Sequence, residues 1–377
     1  MAEFEFSRWD GRHPFVAQSA ERLFEQFTEA LLHAGDEELE ALQQAAAESQ
    51  RLLEELERHG WLERTAGGWQ LTPRAVWRMQ QKALEALLRV RRQAGWGSHP
   101  LPHLGTGDRC VEDTRPWQFG DSLQHLNIPE TLKNVWQRTR QGPPWQLHDD
   151  DLVVFETEAQ TRCATALLLD MSGSMGRYGK FAAAKQVALA LQALVRARYA
   201  GDTLYVIGFA TSAELLDERH LLGATPRPVT LFEPRVHLRI SLDRPPRFIP
   251  QHFTNIHAAF QLARRLLQRH ATANRQIILM TDGEPTAHLE GRDLLLIYPP
   301  SEPTARATLA EARRCAQLGI HCACYALVED SFYFELVKFV ERLARQTGGT
   351  AAYSYADEIG SMVLESFVQG RHRRQPL

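Results

Sequence analysis

Three separated stretches of this sequence offer only oxygen donors. The first is Asp170-Met171-Ser172-Gly173-Ser174-Met175, a D-x-S-x-S pattern directly after the apolar run Ala166-Leu167-Leu168-Leu169. The second is Thr254-Asn255-Ile256, which opens a helical stretch. The third is Thr281-Asp282-Gly283-Glu284, directly after Gln276-Ile277-Ile278-Leu279-Met280. Carboxylates and hydroxyls without imidazole or thiolate suit a hard cation, Mg²⁺ or Mn²⁺, over zinc or copper. Mg²⁺ demands octahedral coordination and gives up water reluctantly, so a set that acts partly through water leaves a position for an outside carboxylate. Asp170, Ser172, Ser174, Thr254 and Asp282 are the candidate metal ligands. Met175, Asn255, Gly283 and Glu284 are the candidate contacts for a partner beside the metal.

Other chemistries fit these residues less well. Gly173 to Lys180 looks like a phosphate loop, but it has a residue too many between its glycines, and Phe181 stands where Ser or Thr would hold the metal. Ser172-Gly173-Ser174 lacks the flanking glycines of a hydrolase elbow. Asp170 or Asp282 alone could merely cap a following helix; the full set, in order and at strand ends, argues for a site. Metal-assisted hydrolysis would need a general base near the metal, and Glu284 is the only obvious candidate. The expectation is therefore a binding module and not an enzyme.

These segments need a scaffold. From residue 151 onward, short apolar strands at 166–169, 203–207, 276–280, 320–327 and 351–353 alternate with helices at about 180–199, 256–270, 304–318, 332–347 and 357–369. Strands without polar alternation are buried on both faces, which predicts an α/β fold with a doubly wound, mainly parallel, Rossmann-like sheet. Such sheets bind ligands beyond the carboxyl ends of the strands, where strand order reverses. Asp170 and Asp282 meet there if their strands are neighbours. Residues 214–250 are rich in Pro and Arg without a clean period and read as an insertion.

The front of the chain differs. All eight tryptophans precede residue 150. Residues 15–58 read as helical, Trp61 to Leu71 as a hairpin around Gly67-Gly68, and Thr72-Pro73 as the start of another helix to about Arg92. Helices with a hairpin wing suggest a mostly helical, winged-helix-like domain over 1–94. Residues 95–150 read as a structured connector with a short helix near 130–140, and 151–377 as the α/β domain. Arg74, Arg78 and Lys82 line one helix face, but Glu54, Glu55, Glu57 and Glu85 balance them, so nucleic acid is not the expected partner.

The 377 residues carry a net charge of -3 and 44% hydrophobic residues, ordinary for a globular protein with a real core. The start, Met1 to Arg8, is unlike a signal peptide, and no apolar run is long enough to span a bilayer. The five cysteines form no C-x-x-C pair and read as reduced, and Cys322 and Cys324 are expected to face apart. The expected location is the cytoplasm, with no membrane partner.

Asp170, Ser172, Ser174, Thr254 and Asp282 resemble, residue by residue, the metal-ion-dependent adhesion site of von Willebrand factor type A (VWA) domains. The Leu-Leu-Leu-Asp strand, the Ala-rich helix after it and Met280-Thr281-Asp282-Gly283-Glu284-Pro285 fit too, so the resemblance covers about residues 150–370. It departs at Phe253, where many family members have Gly before the threonine; a bulkier loop puts Thr254 in doubt. The whole chain, with Arg115-Pro116-Trp117-Gln118-Phe119-Gly120-Asp121 as its connector motif, is similar to bacterial CoxE-like proteins. That resemblance implies a cation-dependent adaptor whose partner supplies an acidic residue, with a MoxR-type AAA+ ATPase as the expected partner.

Overall fold

The computed structural model describes residues 20–35, 47–65, 68–93, 109–118, 126–140, 144–158, 162–270, 274–329 and 334–371. Phe119 to Asp121 of the connector motif, Gly67 of the hairpin turn, and residues 95–108 and 372–377 lie outside them.

The front half has helices Ala20–Ala34 and Ala47–Arg58, then β1 (Leu62–Thr65) and β2 (Gly68–Leu71), then the long helix Pro73–Gln93. Thr72 starts that helix as read from the sequence: its hydroxyl accepts from the Ala75 N–H at 3.2 Å. β3 (Arg109–Pro116) pairs antiparallel with β4 (Val153–Glu158) across a bulge, enclosing helix Ile128–Thr139. That pair was not legible in a stretch read as an irregular connector. Asn127 caps the helix, and Arg138 grips the buried Asp151 at 2.7 Å.

The rest builds the central sheet from β5 (Cys163–Asp170), β6 (Thr203–Phe209), β7 (Ala213–Leu216), β9 (Asn274–Thr281), β12 (Ile320–Leu327) and β13 (Thr350–Ser354). The order is β13-β12-β9-β5-β6-β7, parallel except for the antiparallel edge strand β7. From β5 the chain winds outward through β6, then returns to β9 on the other side. The order therefore reverses between β5 and β9, which are in register at Leu169 and Met280. All eight residues of β5 are buried, as a strand covered on both faces requires.

Alternate residues of the strands feed two cores. Ala166, Leu168, Ile277 and Leu279 pack on helices Ile256–Leu267, Glu302–Gln317 and Phe334–Thr347. Leu167, Leu169, Ile278 and Met280 pack on helices Lys180–Arg198 and Ile359–Arg371. Cys322 and Cys324 both lie in the first core, so they share a face, contrary to the expectation above. Residues two apart on a strand point the same way; it is the intervening Ala323 that faces the other side.

The second core continues into the front half without a break, through Phe24, Leu31, Leu56, Val76, Met79 and Leu87. Gly360 lets the two parts close up: a methyl there would lie 2.1 Å from Leu87. Lys185, fully buried, donates to the carbonyls of Leu31 and Ala224 at 3.0 and 3.1 Å and ties both regions to one helix.

A second, smaller sheet was not anticipated. β8 (Val236–Ser241) lies inside the insertion and pairs with β11 (Asp293–Tyr298), which in turn pairs with β10 (Ala287–Glu290), all antiparallel. Its core holds Val236, Ile240, Ala287, Leu294, Leu296 and Phe253. Among the described residues no helix is long and apolar enough to cross a membrane.

Candidate metal site

Each oxygen donor is placed by the end of a buried strand. Asp170 closes β5 and is fully buried. Its Oδ1 accepts from the Ser172 N–H at 2.8 Å, and its Oδ2 accepts from the Thr281 hydroxyl at 2.5 Å. Thr281, the last residue of β9, also accepts from the Gly283 N–H at 3.3 Å, so one hydroxyl holds both acidic loops together. The Ser172 and Ser174 hydroxyls are 3.2 Å apart, and Ser174 donates to Asp282 Oδ1 at 2.7 Å. Four of the expected ligands are thus linked across the point where strand order reverses.

Thr254 completes the group. A methyl on Gly283 would lie 3.8 Å from Thr254 Oγ1 and 4.0 Å from Ser174 Oγ, so both hydroxyls overlook the same glycine. The bulk of Phe253 does not displace Thr254. Phe253 is a buried plug in the core of the small sheet. The Thr254 carbonyl accepts from the N–H groups of Thr286 and Ala287 at 3.0 and 3.2 Å, and its own N–H donates to Thr286 Oγ1 at 2.8 Å. The small sheet therefore hangs from the loop that presents Thr254.

The expected partner contacts fare differently. Met175 is fully buried in the core and cannot reach a partner. Asn255 is 1% exposed and is consumed by its own helix: its Oδ1 caps Ala258 and its Nδ2 donates to the Thr211 carbonyl. Glu284 is half-buried and its carboxyl is pushed up, first by burial and then by the like charge of Glu335, with Arg342 and Lys338 pulling the other way. Gly283 lies beside the Thr254 and Ser174 hydroxyls.

Sequence reasoning missed two charged residues. Lys180, 5% exposed, puts its ammonium 2.5 Å from Asp282 Oδ2, outside hydrogen-bond alignment, and bonds Glu329. Burial alone would lower this lysine, but Asp282 and Glu329 outweigh it and hold it above its ordinary value. Asp170 has no cationic side chain against it among the described residues. Burial first, and then the charge of Asp282, raise its carboxyl well above the usual range. Lys180 was visible as the lysine of the discarded phosphate loop; Glu329, 149 residues away, gave no signal.

The donor set fits a small hard cation: two carboxylates and three hydroxyls, one carboxylate buried without a counter-charge. Among the described residues no three His, Cys, Asp or Glu side chains cluster to hold a metal. Mg²⁺ or Mn²⁺ would be held by Asp170, Ser172, Ser174, Thr254 and Asp282, and when bound it would supply a positive centre for an incoming oxygen ligand.

Residues 163–368 match the vWA domain of the Rv0959-like proteins, and residues 111–157 match the third domain of the same proteins. The first match covers more than half of the chain, and the chain belongs to this family of vWA-domain proteins. It is 31% identical over 379 residues to the uncharacterized protein Rv0959 of Mycobacterium tuberculosis (strain ATCC 25618 / H37Rv). It shows the same identity to Mb0984 of Mycobacterium bovis. The alignment takes in 95% of this chain but 51% of the relative, so the chain spans about half the length of the curated relatives it matches. Among solved structures, the vWF domain of the pilus tip protein Mfa5 from Porphyromonas gingivalis aligns with 58% of this chain and 99% of its own, at 12% identity and TM-score 0.39. Manganese-loaded TRAP from Plasmodium vivax aligns with 54% of this chain and 72% of its own, at 15% identity and TM-score 0.33.

Proposed function

We propose that this protein is a divalent-cation-dependent protein-binding adaptor. Asp170, Ser172, Ser174, Thr254 and Asp282 hold Mg²⁺ or Mn²⁺, and a partner's acidic side chain completes the shell. One observation carries this reading: two strand-end aspartates and three hydroxyls converge where strand order reverses, and the more buried aspartate lacks a counter-charge. Binding is favoured over hydrolysis because Glu284, the candidate base, feels chiefly the charges of Glu335, Arg342, Lys338 and Glu302, none of them a candidate metal ligand. The adaptor acts in the cytoplasm, and a MoxR-type AAA+ ATPase is the proposed partner, on the sequence resemblance. The N-terminal helices are not proposed to bind nucleic acid: Arg74 lies over the Trp61 ring and Lys82 pairs with Glu25 at 2.6 Å.

Calorimetric titration with MgCl₂ and MnCl₂ tests the first half. Wild type should bind one ion, and Asp170→Ala should bind none. A pull-down from native lysate with Mg²⁺ or with EDTA tests the second half. The reading predicts a protein, the ATPase among the candidates, that only wild type retains and only with Mg²⁺. The same proteins in every sample would refute metal-dependent capture.

A further inference from the structure

The mouth of the metal site is bordered by apolar side chains that the fold leaves uncovered. Tyr178 is 74% exposed, with φ of 55°. A non-glycine residue in the left-handed region is strained, and such strain persists where surrounding structure enforces it, characteristically at functional sites. The Tyr178 ring lies 5.8 Å from the Lys180 ammonium, which itself sits at Asp282. The ring therefore stands at the metal loop.

The insertion also reaches the metal loop. Val229 touches the metal loop: a methyl on Gly173 would lie 2.6 Å from Val229 Cγ2. Thr230 donates its N–H to the His252 ring, two residues before Thr254. Leu231 and Ile249 are packed on the small core that holds Phe253. Their neighbours point outward: Phe232 is 84% exposed and Phe248 is 63% exposed. Large aromatic side chains left uncovered on an ordered segment mark a contact surface. Arg235, Arg244 and Arg247 on the same segment are exposed and have no ion pair among the described residues.

We infer that Tyr178 and the Val229–Phe232 stretch form an apolar rim that selects the partner segment, a reading that rests on the metal-dependent binding proposed above. The rim takes a protein segment in which a bulky apolar residue adjoins the acidic residue that reaches the metal. The carboxylate supplies the charge that the metal needs, and the unpaired arginines favour further acidic residues nearby. Apolar side chains beside a carboxylate-seeking centre give a neighbouring Phe or Leu a place to bury.

The test uses the full chain with Mg²⁺ and two short synthetic peptides on a Gly/Ser background. One has a central Asp flanked by Phe and Leu, and the other has the same Asp flanked by Ser. Wild type should bind the first roughly tenfold more tightly. Tyr178→Gly, which relieves the φ strain and so keeps the fold, and Phe232→Ser should abolish that preference while leaving Mg²⁺ affinity unchanged. Equal affinity for the two peptides, no binding of either by the Mg²⁺-loaded protein, or a preference that survives both substitutions would overturn the rim. So would tight binding of a mixed-sequence single-stranded oligonucleotide that persists in EDTA, which would give the surface to nucleic acid. Failure of wild type to bind Mg²⁺ at all would instead strike the metal reading.

Discussion

The ammonium of Lys180 lies 2.5 Å from Asp282 Oδ2, while the other oxygen of the same carboxylate accepts from Ser174 at 2.7 Å. One face of Asp282 is therefore held by a resident cation and the other is turned to the hydroxyls that would hold a metal. Lys180 would compete with an incoming ion for the charge of Asp282, and it pairs with both Asp282 and Glu329.

Replacing Lys180 by Met should have two opposite effects. The metal-free protein should lose about 3 kcal/mol, because removing one partner leaves buried carboxylates uncompensated. Mg²⁺ affinity should rise by roughly tenfold, since the ion no longer contends with an ammonium. Urea unfolding without metal and calorimetry with it measure the two. A fall in Mg²⁺ affinity would mean that Lys180 positions Asp282 and does not compete.

Phe253→Ala tests the anchoring of Thr254. Emptying a buried aromatic site costs about 3–5 kcal/mol. The loss should fall on the small sheet and on the loop it steadies, so Mg²⁺ affinity should drop although no ligand has changed. If stability falls and metal affinity holds, Phe253 is only a core residue.

Gly173→Ala should crowd the metal loop. The new methyl would meet Val229 Cγ2 at 2.6 Å and the Arg227 carbonyl at 3.4 Å. The backbone there is pinned by the Arg227 N–H to the Met171 carbonyl at 2.8 Å, so the loop must give. Overpacking of this kind costs about 1–3 kcal/mol. Adding Val229→Ala should recover most of the stability and the Mg²⁺ affinity. If the second substitution brings no recovery, Val229 is not what limits the space.

His257 predicts an acid sensitivity. Burial lowers its pKa to about 4, with the like charges of His288 and Arg314 adding to the effect and Glu311 opposing it. Its Nδ1 accepts from the Leu289 N–H at 3.0 Å, joining the helix that follows Thr254 to the small sheet. Between pH 6.5 and about 4 the unfolded chain binds the proton and the folded chain resists it. The stability that depends on the neutral ring is complete above pH 6.5 and is lost as pH falls through that window. A pH series of urea midpoints should show a flatter slope for His257→Gln than for wild type. An unchanged slope would place the sensitivity elsewhere.

The scaffold was legible because its strands are apolar on both faces. β5, β9 and β12 have no polar alternation to blur them, and the two aspartates stand at the ends of β5 and β9. The ligand set was legible because three short patterns occur in order. β8 was not read: Val236, Leu238 and Ile240 do alternate with His237 and Arg239, but this short run lies among the prolines and arginines of a stretch read as lacking a clean period. The burial of Met175 and Asn255 was also hidden, because a motif gives residue type and position but not which side of the loop the core occupies. The pairing of Lys180 with Glu329 depends on a helix start meeting the end of β12 and has no local trace.

The helix Lys180–Arg198 begins at the metal site, and the helix Pro73–Gln93 packs along it in one shared core. At about 1.5 Å per residue it is a strut roughly 28 Å long. Its first residue grips Asp282, Lys185 near its start holds the front helix and the insertion, and Arg196 near its end bonds Gln80. Neither half of the chain can be shifted at this helix without moving the other. A cation held by Asp282 would therefore sit against the first residue of the same rigid helix that the front half braces along its length.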